Sequence, residues 1–315
     1  MRPPHCAIVP AVISLLSASA LAQQSPPPVS SFHVVVAAGE SLHVVAAGAG
    51  MPVVLVPGLF GCAYGFRHLL ARIPGEGYRA LVIEPLAIGG SPRPQDADYS
   101  LTAQADRLAA AIRQLDSVPV LVVAHSLSAS IAMRLAVRHP ELVRGVVALD
   151  GGPMETAATK GFRKAMSYAP WLKWLGGMKR LRPRIRHDLI ASSADSTWLT
   201  DAVLDAYTAG HTSDLDGTLK AYLEMVDSRE PERLVPRLRE LQMPLRLVVG
   251  AVPHQGGISH EQMGILATQV PHFTLDSVPG AGHYLFEETP EAVVAAIRRV
   301  DQSARTVPLA QQVRP

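Results

Sequence analysis

Leu121-Val122-Val123-Ala124-His125-Ser126-Leu127-Ser128-Ala129 is an apolar β-type run that breaks into a small-X-Ser-X-small pentad, Ala124 to Ser128. A helical pattern opens directly behind it, from Ile131 to His139, and Pro140 stops it. Strand, sharp turn and helix in that order form a nucleophile elbow, in which the turn strains the serine backbone and exposes its Oγ. The flanking positions must be small because the strand and helix backbones approach closely there. Ala124 and Ser128 stand where glycines are usual, so the motif is relaxed but sterically acceptable. The plainer alternative is that Ser126 is only a helix N-cap, a place serine favours.

Outward from this pentad, short β-type runs alternate with helical segments. Phe32 to Ala37 and Leu42 to Ala47, separated by Gly39-Glu40, suit an opening hairpin. Pro52 to Val56, Ala80 to Ile83, Val118 to Val123 and Val143 to Leu149 read as strands, and so do Leu245 to Val249 and Phe273 to Val278. Helical spacing is found over Phe66 to Ile73, Leu101 to Leu115 and Glu291 to Val300. This alternation predicts an α/β fold with a doubly wound, mostly parallel sheet. It stops between residues 152 and 243, where the pattern turns helical. A helical block between two strands of one sheet, here after the sixth, reads as a cap over the edge of that sheet.

The 315 residues suffice for a sizeable core, and charge is nearly balanced, with 29 Lys and Arg against 27 Asp and Glu. Nothing in that balance points to a nucleic-acid partner. Residues 1–22 read as a signal peptide: Arg2 as the positive n-region, Ala7 to Leu16 as the apolar h-region, and Ala20-Leu21-Ala22 as an A-x-A-like site before Gln23. The expected destination is therefore the periplasm or the outside of the cell. Cys6 leaves with that segment, so Cys62 is left without a disulfide partner. Residues 23–31, with three consecutive prolines, read as a linker, and 303–315 as a flexible tail. The expected core is then 32–151 plus 244–302, around a cap of 152–243. No Cys/His spacing of the metal-binding kind is found, so the site residues include no metal ligand.

Three motifs in one order identify a likeness. Val53-Val54-Leu55-Val56-Pro57-Gly58-Leu59-Phe60-Gly61 looks like an H-G-x-x-G-type oxyanion loop with Pro57 in place of its histidine. The elbow at Ser126 comes second, and Pro279-Gly280-Ala281-Gly282-His283, which looks like a G-x-G-H segment, comes last. With these the chain resembles the α/β-hydrolase superfamily over nearly all of Phe32 to Val300. The stretch Gly89-Gly90-Ser91-Pro92-Arg93-Pro94 resembles that family's loop after its fourth strand. The resemblance implies a serine nucleophile at Ser126 and a proton-shuttling base at His283, since a serine hydroxyl needs an adjacent base at neutral pH. It further implies an oxyanion hole from the backbone N–H groups of Leu59 and Leu127.

The third member of the triad departs from the family. Its usual acid follows the seventh strand, where this chain reads Gly250-Ala251-Val252-Pro253, and Pro253 cannot orient an imidazole. Glu261 is displaced along the next helix and Asp276 lies inside the last strand. Asp150, at the end of the strand after the elbow in Leu149-Asp150-Gly151-Gly152, is the expected acid; the alternative is an Asp that only forms a turn. His125 is expected to pack into the sheet, and His254 is read as a surface turn rather than a substrate contact.

The resemblance thus implies a serine hydrolase acting on a small-molecule acyl substrate, most simply a carboxylic ester, with no cofactor, and the signal peptide makes it an exported one. The rivals are thioesterase, lactonase, carbon–carbon hydrolase, aminopeptidase or acyltransferase chemistry, or a binding protein on the same fold. From Lys160 to Arg186 nine Lys and Arg are interleaved with Trp171 and Trp174 and no carboxylate intervenes. That segment is either a solvated basic surface or a contact for anionic surfaces. Oligomeric state is not legible.

Overall fold

The computed structural model describes residues 28–158, 160–167 and 178–306. The expected signal peptide, residues 23–27 of the expected linker, the end of the expected tail, and Trp171, Lys173 and Trp174 lie outside the described residues.

Eight strands form one sheet: β1 (Val29–Ala37), β2 (Glu40–Ala47), β3 (Met51–Val56), β4 (Tyr78–Ile83), β5 (Val120–His125), β6 (Val143–Leu149), β7 (Leu245–Gly250) and β8 (Phe273–Val278). Their spatial order is β1-β2-β4-β3-β5-β6-β7-β8. The β1–β2 hairpin turns at Gly39, whose φ of 76° suits glycine, and β2 meets β4 antiparallel; all later pairings are parallel. Parallel strands need crossovers, and these place helices on both faces. That is why β3 and β5 read as unbroken apolar runs: alternate side chains serve two cores. Val54 and Val122 face α2 (Leu101–Leu115) and α3 (Leu127–Arg138), whereas Val53, Leu55 and Val123 face α1 (Arg67–Arg72) and a C-terminal helix, Pro290–Thr306. Each fully buried aliphatic side chain contributes about 1.5–3 kcal/mol, so truncating Leu69 or Leu108 is costly.

Between β6 and β7 the described residues hold α4 (Lys160–Met166), α5 (Met178–Ala191), α6 (Asp201–Ser213) and α7 (Leu215–Asp227). Two carboxylates and one guanidinium fasten the stems of this helical insertion. Glu155, at its start, accepts Leu234 N–H and Val235 N–H near its end at 2.9 and 3.0 Å. Glu230 accepts the first N–H groups of α2 at Leu101 and Thr102, where a helix N-terminus favours negative charge. Buried Arg134 of α3 donates to the carbonyls of Met154 and Glu232 at 2.9 and 3.1 Å, bracketing both stems.

The remaining helices are α8 (His260–Gln269), α9 (Leu285–Glu288) and α10 (Pro290–Thr306). Several element ends differ from expectation, two of them by three residues or more for reasons the contacts show. β1 begins at Val29, inside the expected linker, because Val29 and Ser30 pair with Ala47 and Ala46. α10 runs to Thr306 rather than Val300, although its apolar periodicity has ended. Its buried Asp301 forms an ion pair with Arg144 at 2.6 Å and accepts from Arg305 one turn on at 2.8 Å and from the Tyr78 hydroxyl at 3.1 Å. Among the described residues no helix is long and apolar enough to cross a membrane.

Candidate active site

Ser126 ends β5 with φ 54° and ψ −122°, a region that costs a non-glycine residue on the order of 1–3 kcal/mol. Neighbouring backbone holds it there: Ser126 N–H donates to Leu149 O at 2.9 Å, and Ser126 O accepts from Ala129 N–H at 3.0 Å. The loop after β3 closes on the elbow. A Cβ at Gly58 would lie 2.9 Å from His125 O and 3.1 Å from Ser126 Cβ, so glycine is required for this approach. Ser128, one of the small residues of the pentad, donates its hydroxyl to Pro57 O at 2.6 Å. The small-residue rule thus serves two contacts, helix against strand and elbow against loop.

That loop continues through Leu59 and Phe60, and Gly61 N–H returns to Gly58 O at 2.9 Å. Leu59 and Leu127 both border the same cavity as Ser126. Leu127 opens α3, so its N–H belongs to the first turn and has no intrahelical acceptor. Behind the loop, buried Glu84 accepts Ala63 N–H at 2.5 Å, Gly90 N–H at 2.6 Å and His43 Nδ1 at 2.7 Å. One carboxylate thereby ties the turn after the loop to the segment after β4.

Asp150 ends β6 as Ser126 ends β5, again with a left-handed φ, 48°, and with its N–H bonded to the next strand at Val248 O, 2.9 Å away. Its Oδ2 lies 2.6 Å from His283 Nδ1. Pro253 places no carboxylate near His283, Glu261 lies at the exposed start of α8, and Asp276 is engaged by Arg246 and Arg299 at 2.6 and 2.9 Å. Among the candidate acids considered, Asp150 alone reaches the histidine. Burial alone would push its carboxyl up, but hydrogen bonds and charge from His283 and His254 outweigh that and hold it below the usual carboxylate range.

His254 was missed. Its Nε2 lies 2.6 Å from the same Asp150 Oδ2 and its Nδ1 2.6 Å from Val252 O. Its sequence position beside Pro253 suggests a surface turn, but the residue lies in an irregular loop with its side chain buried. His125 also does more than pack. Its Nε2 lies 3.0 Å from His283 O, and its ring centroid is 4.4 Å from that of His283. Burial, followed by the charge of His283, lowers the His125 pKa well below the ordinary imidazole value; the neutral ring donates Nε2–H to that carbonyl. His283 N–H donates to Ser192 O of the helical insertion at 2.8 Å, so backbone fixes the residue from both sides.

Ligand atoms of Asp150, His254 and His283 lie within 4.8 Å of one another, a donor set that a divalent ion accepts. Here those atoms are hydrogen-bonded to each other. Ser126 and His283 open onto a cavity of about 600 Å³ whose walls are mostly apolar, with Phe60, Met154, Phe162, Ile185, Leu219 and Tyr222 prominent. Its polar exceptions include His211, which lies 2.8 Å from the Tyr222 hydroxyl. Burial, then the charge of Arg93, lowers His211 to about 4. In the basic segment, Arg182 and Arg186 meet Asp201, Arg182 also meets Asp205, and Arg184 meets Asp188. Much of its charge on α5 is thus locally compensated.

The sequence profile of the alpha/beta hydrolase family matches residues 53–296, from β3 into α10. The chain belongs to that family. It is 26% identical over 271 residues to 2-(acetamidomethylene)succinate hydrolase of Mesorhizobium japonicum, covering 82% of this chain and 90% of that one. It is 24% identical over 255 residues to an sn-1-specific diacylglycerol lipase of Mus musculus, covering 78% and 79%. Among solved structures the epoxide hydrolase CorEH superposes with a TM-score of 0.73 at 17% identity, over 87% of this chain and 99% of that one. This α/β hydrolase is therefore an enzyme whose relatives are named hydrolases, esterases and lipases.

Proposed function

We propose that this α/β hydrolase is an exported serine hydrolase that cleaves carboxylic esters through an acyl-enzyme. One observation carries the reading. A serine held at φ 54° shares a cavity with a histidine whose Nδ1 is bonded to a carboxylate, 2.6 Å away.

In this reading Ser126 Oγ attacks the ester carbonyl and passes its proton to His283 Nε2. Asp150 holds the Nδ1–H tautomer and stabilises the imidazolium that forms. The N–H groups of Leu59 and Leu127 receive the oxyanion, a contact whose loss typically costs about a hundredfold or more in rate. His283 then protonates the departing alcohol, and water releases the acyl group by the same steps in reverse. The predominantly apolar wall favours an aliphatic or aromatic acyl chain over a highly charged one, because a charge entering it would lose water without gaining a partner.

A fluorophosphonate probe tests the chemistry: intact mass should show one adduct, absent in Ser126→Ala. Full labelling of that variant would sink the assignment. A panel of esters, thioesters, lactones and amides then separates ester cleavage from its rivals. Export rests on the n-region, h-region and Ala20-Leu21-Ala22 site of the sequence. N-terminal sequencing of protein from the extracytoplasmic fraction should begin at Gln23, and an intact Met1 would refute it.

A further inference from the structure

His254 makes two contacts that together fix its protonation. Nδ1 faces the Val252 carbonyl oxygen at 2.6 Å, and Nε2 faces Asp150 Oδ2 at 2.6 Å. A carbonyl oxygen and a carboxylate oxygen are both acceptors, so each ring nitrogen must bring a hydrogen; only the imidazolium satisfies both. Its side chain is 8% exposed, and a cation so placed requires the carboxylate beside it. Asp150 Oδ2 thus receives two donors at the same distance, one from each histidine.

The chain goes to some length to hold His254 there. Its loop is pinned to the loop carrying His283, through Ala251 N–H on Val278 O at 2.9 Å and Val252 N–H on Ala281 O at 3.1 Å. A Cβ at Gly257 would sit 2.7 Å from His254 Nε2 and 3.0 Å from Asp150 Oδ2, so glycine is what lets the loop close over the pair. A histidine that merely filled a surface turn would need none of this.

We propose that His254 is a positioning residue of the hydrolytic site, a doubly protonated second imidazole that locks Asp150 Oδ2 in line with His283 Nδ1 and shares its negative charge. The inference rests on the roles given to Ser126, His283 and Asp150 above. Charge sharing has a direction. A lone carboxylate favours the protonated form of the imidazole it touches, the form that cannot act as a base. The His254 cation, its ring centroid 5.9 Å from that of His283, offsets this and extends activity toward acid. The titratable groups facing His254 are Asp150, from the end of β6, and His283, from the loop after β8. Arg184 and Asp188 of α5 line the shared cavity and are paired with each other at 3.0 Å.

The test is the rate at which a fluorophosphonate labels Ser126, followed from pH 5 to 9 in the wild type, His254→Ala and His254→Gln. Removing a unit charge about 6 Å away moves such a limb by about one pH unit. Both variants should therefore show the acid limb displaced upward by about that much. At the plateau His254→Ala should label about tenfold more slowly, the cost of a loosened acid. His254→Gln, whose amide still donates to Asp150, should recover most of that rate but keep the displaced limb. A residue that served only packing would change thermal stability and leave the limb in place. On the wild type alone, ¹⁵N spectra at pH 7 should show both ring nitrogens of His254 protonated, whatever the variants' folding; a neutral tautomer overturns the proposal. Labelled wild type with an unmoved limb in both variants overturns it too, leaving the serine reading intact. A wild type that does not label at Ser126 removes the serine reading, and this inference with it.

Discussion

On the floor of the cavity Ser126, Asp150 and His283 are placed by backbone: each donates its N–H to a carbonyl of a neighbouring segment, Leu149, Val248 or Ser192, at 2.8–2.9 Å. On its roof Phe162, Tyr222 and Ile185 are placed by the packing of helices on one another, and the Tyr222 hydroxyl lies 2.8 Å from His211 Nε2. The floor is consequently intolerant. A Cβ at Gly151 would fall 2.1 Å from Ser126 O, where only backbone could give way. The roof can exchange one apolar side chain for another at a cost of about 1.5 kcal/mol or less. In the proposed reading, reaction chemistry belongs to the rigid part and substrate choice to the part that can vary.

The comparison can be broken from either side. The largest effect should come from Ser126→Ala, which removes the proposed nucleophile; for groups that act as a unit the loss reaches about a millionfold in kcat. Steady-state turnover with far-UV circular dichroism checks that the fold survives. Asp150→Asn comes next. Asn tolerates a left-handed φ as readily as Asp, so thermal stability should stay near wild type while kcat falls by about ten thousandfold. Surviving activity would make Asp150 a turn residue and dissolve the floor as described.

Roof substitutions should act on stability instead. Burial keeps His211 neutral down to about pH 4, whereas the unfolded chain takes up that proton near 6.5. The unfolded state binds more protons between those values, so stability is complete above pH 6.5 and is lost as pH falls through about 4. The span corresponds to about 3 kcal/mol. Urea melts at pH 7 and pH 4 should therefore differ less in His211→Gln than in the wild type, by that order; an equal difference would mean His211 titrates normally. Smallest is Tyr222→Phe, which deletes one hydrogen bond and should cost about 1 kcal/mol, with kcat nearly unchanged. A collapse of kcat in that variant would show that the roof takes part in chemistry.

Much of the floor was legible in the sequence because its constraints are local. A β-type run, small residues at 124 and 128 and a helix directly behind them leave one geometry for Ser126, and the order of three motifs supplies the sheet. Asp150 could be reached by elimination once Pro253 excluded the usual position. His254 could not. Its partner is 104 residues away, and the orientation of its ring depends on a glycine three positions on and a loop pinned by backbone alone. Two ends were misjudged for a related reason: Val29 and Ser30 form an exposed edge, and the last turns of α10 rest on the ion pairs of Asp301. Neither carries the apolar rhythm by which elements are recognised. In the insertion the helical character was plain, but which side chains face the cavity depends on packing between α4 and α7, which periodicity does not encode.

Phe60 joins the two regions. It is a non-glycine residue at φ 64°, one position after Leu59, and its ring stands 5.4 Å from Tyr222, 6.0 Å from Phe162 and 6.1 Å from His211. A non-glycine residue held at such a φ needs support from its surroundings, and the rings of the roof supply part of it on the side they cover. The loop that carries the proposed oxyanion donor is thus braced by the aromatic cluster above it. Under the proposed ester hydrolysis, an acyl chain that wedges between those rings and Phe60 would disturb that brace at the moment of reaction, so chain length should register in turnover as well as in affinity.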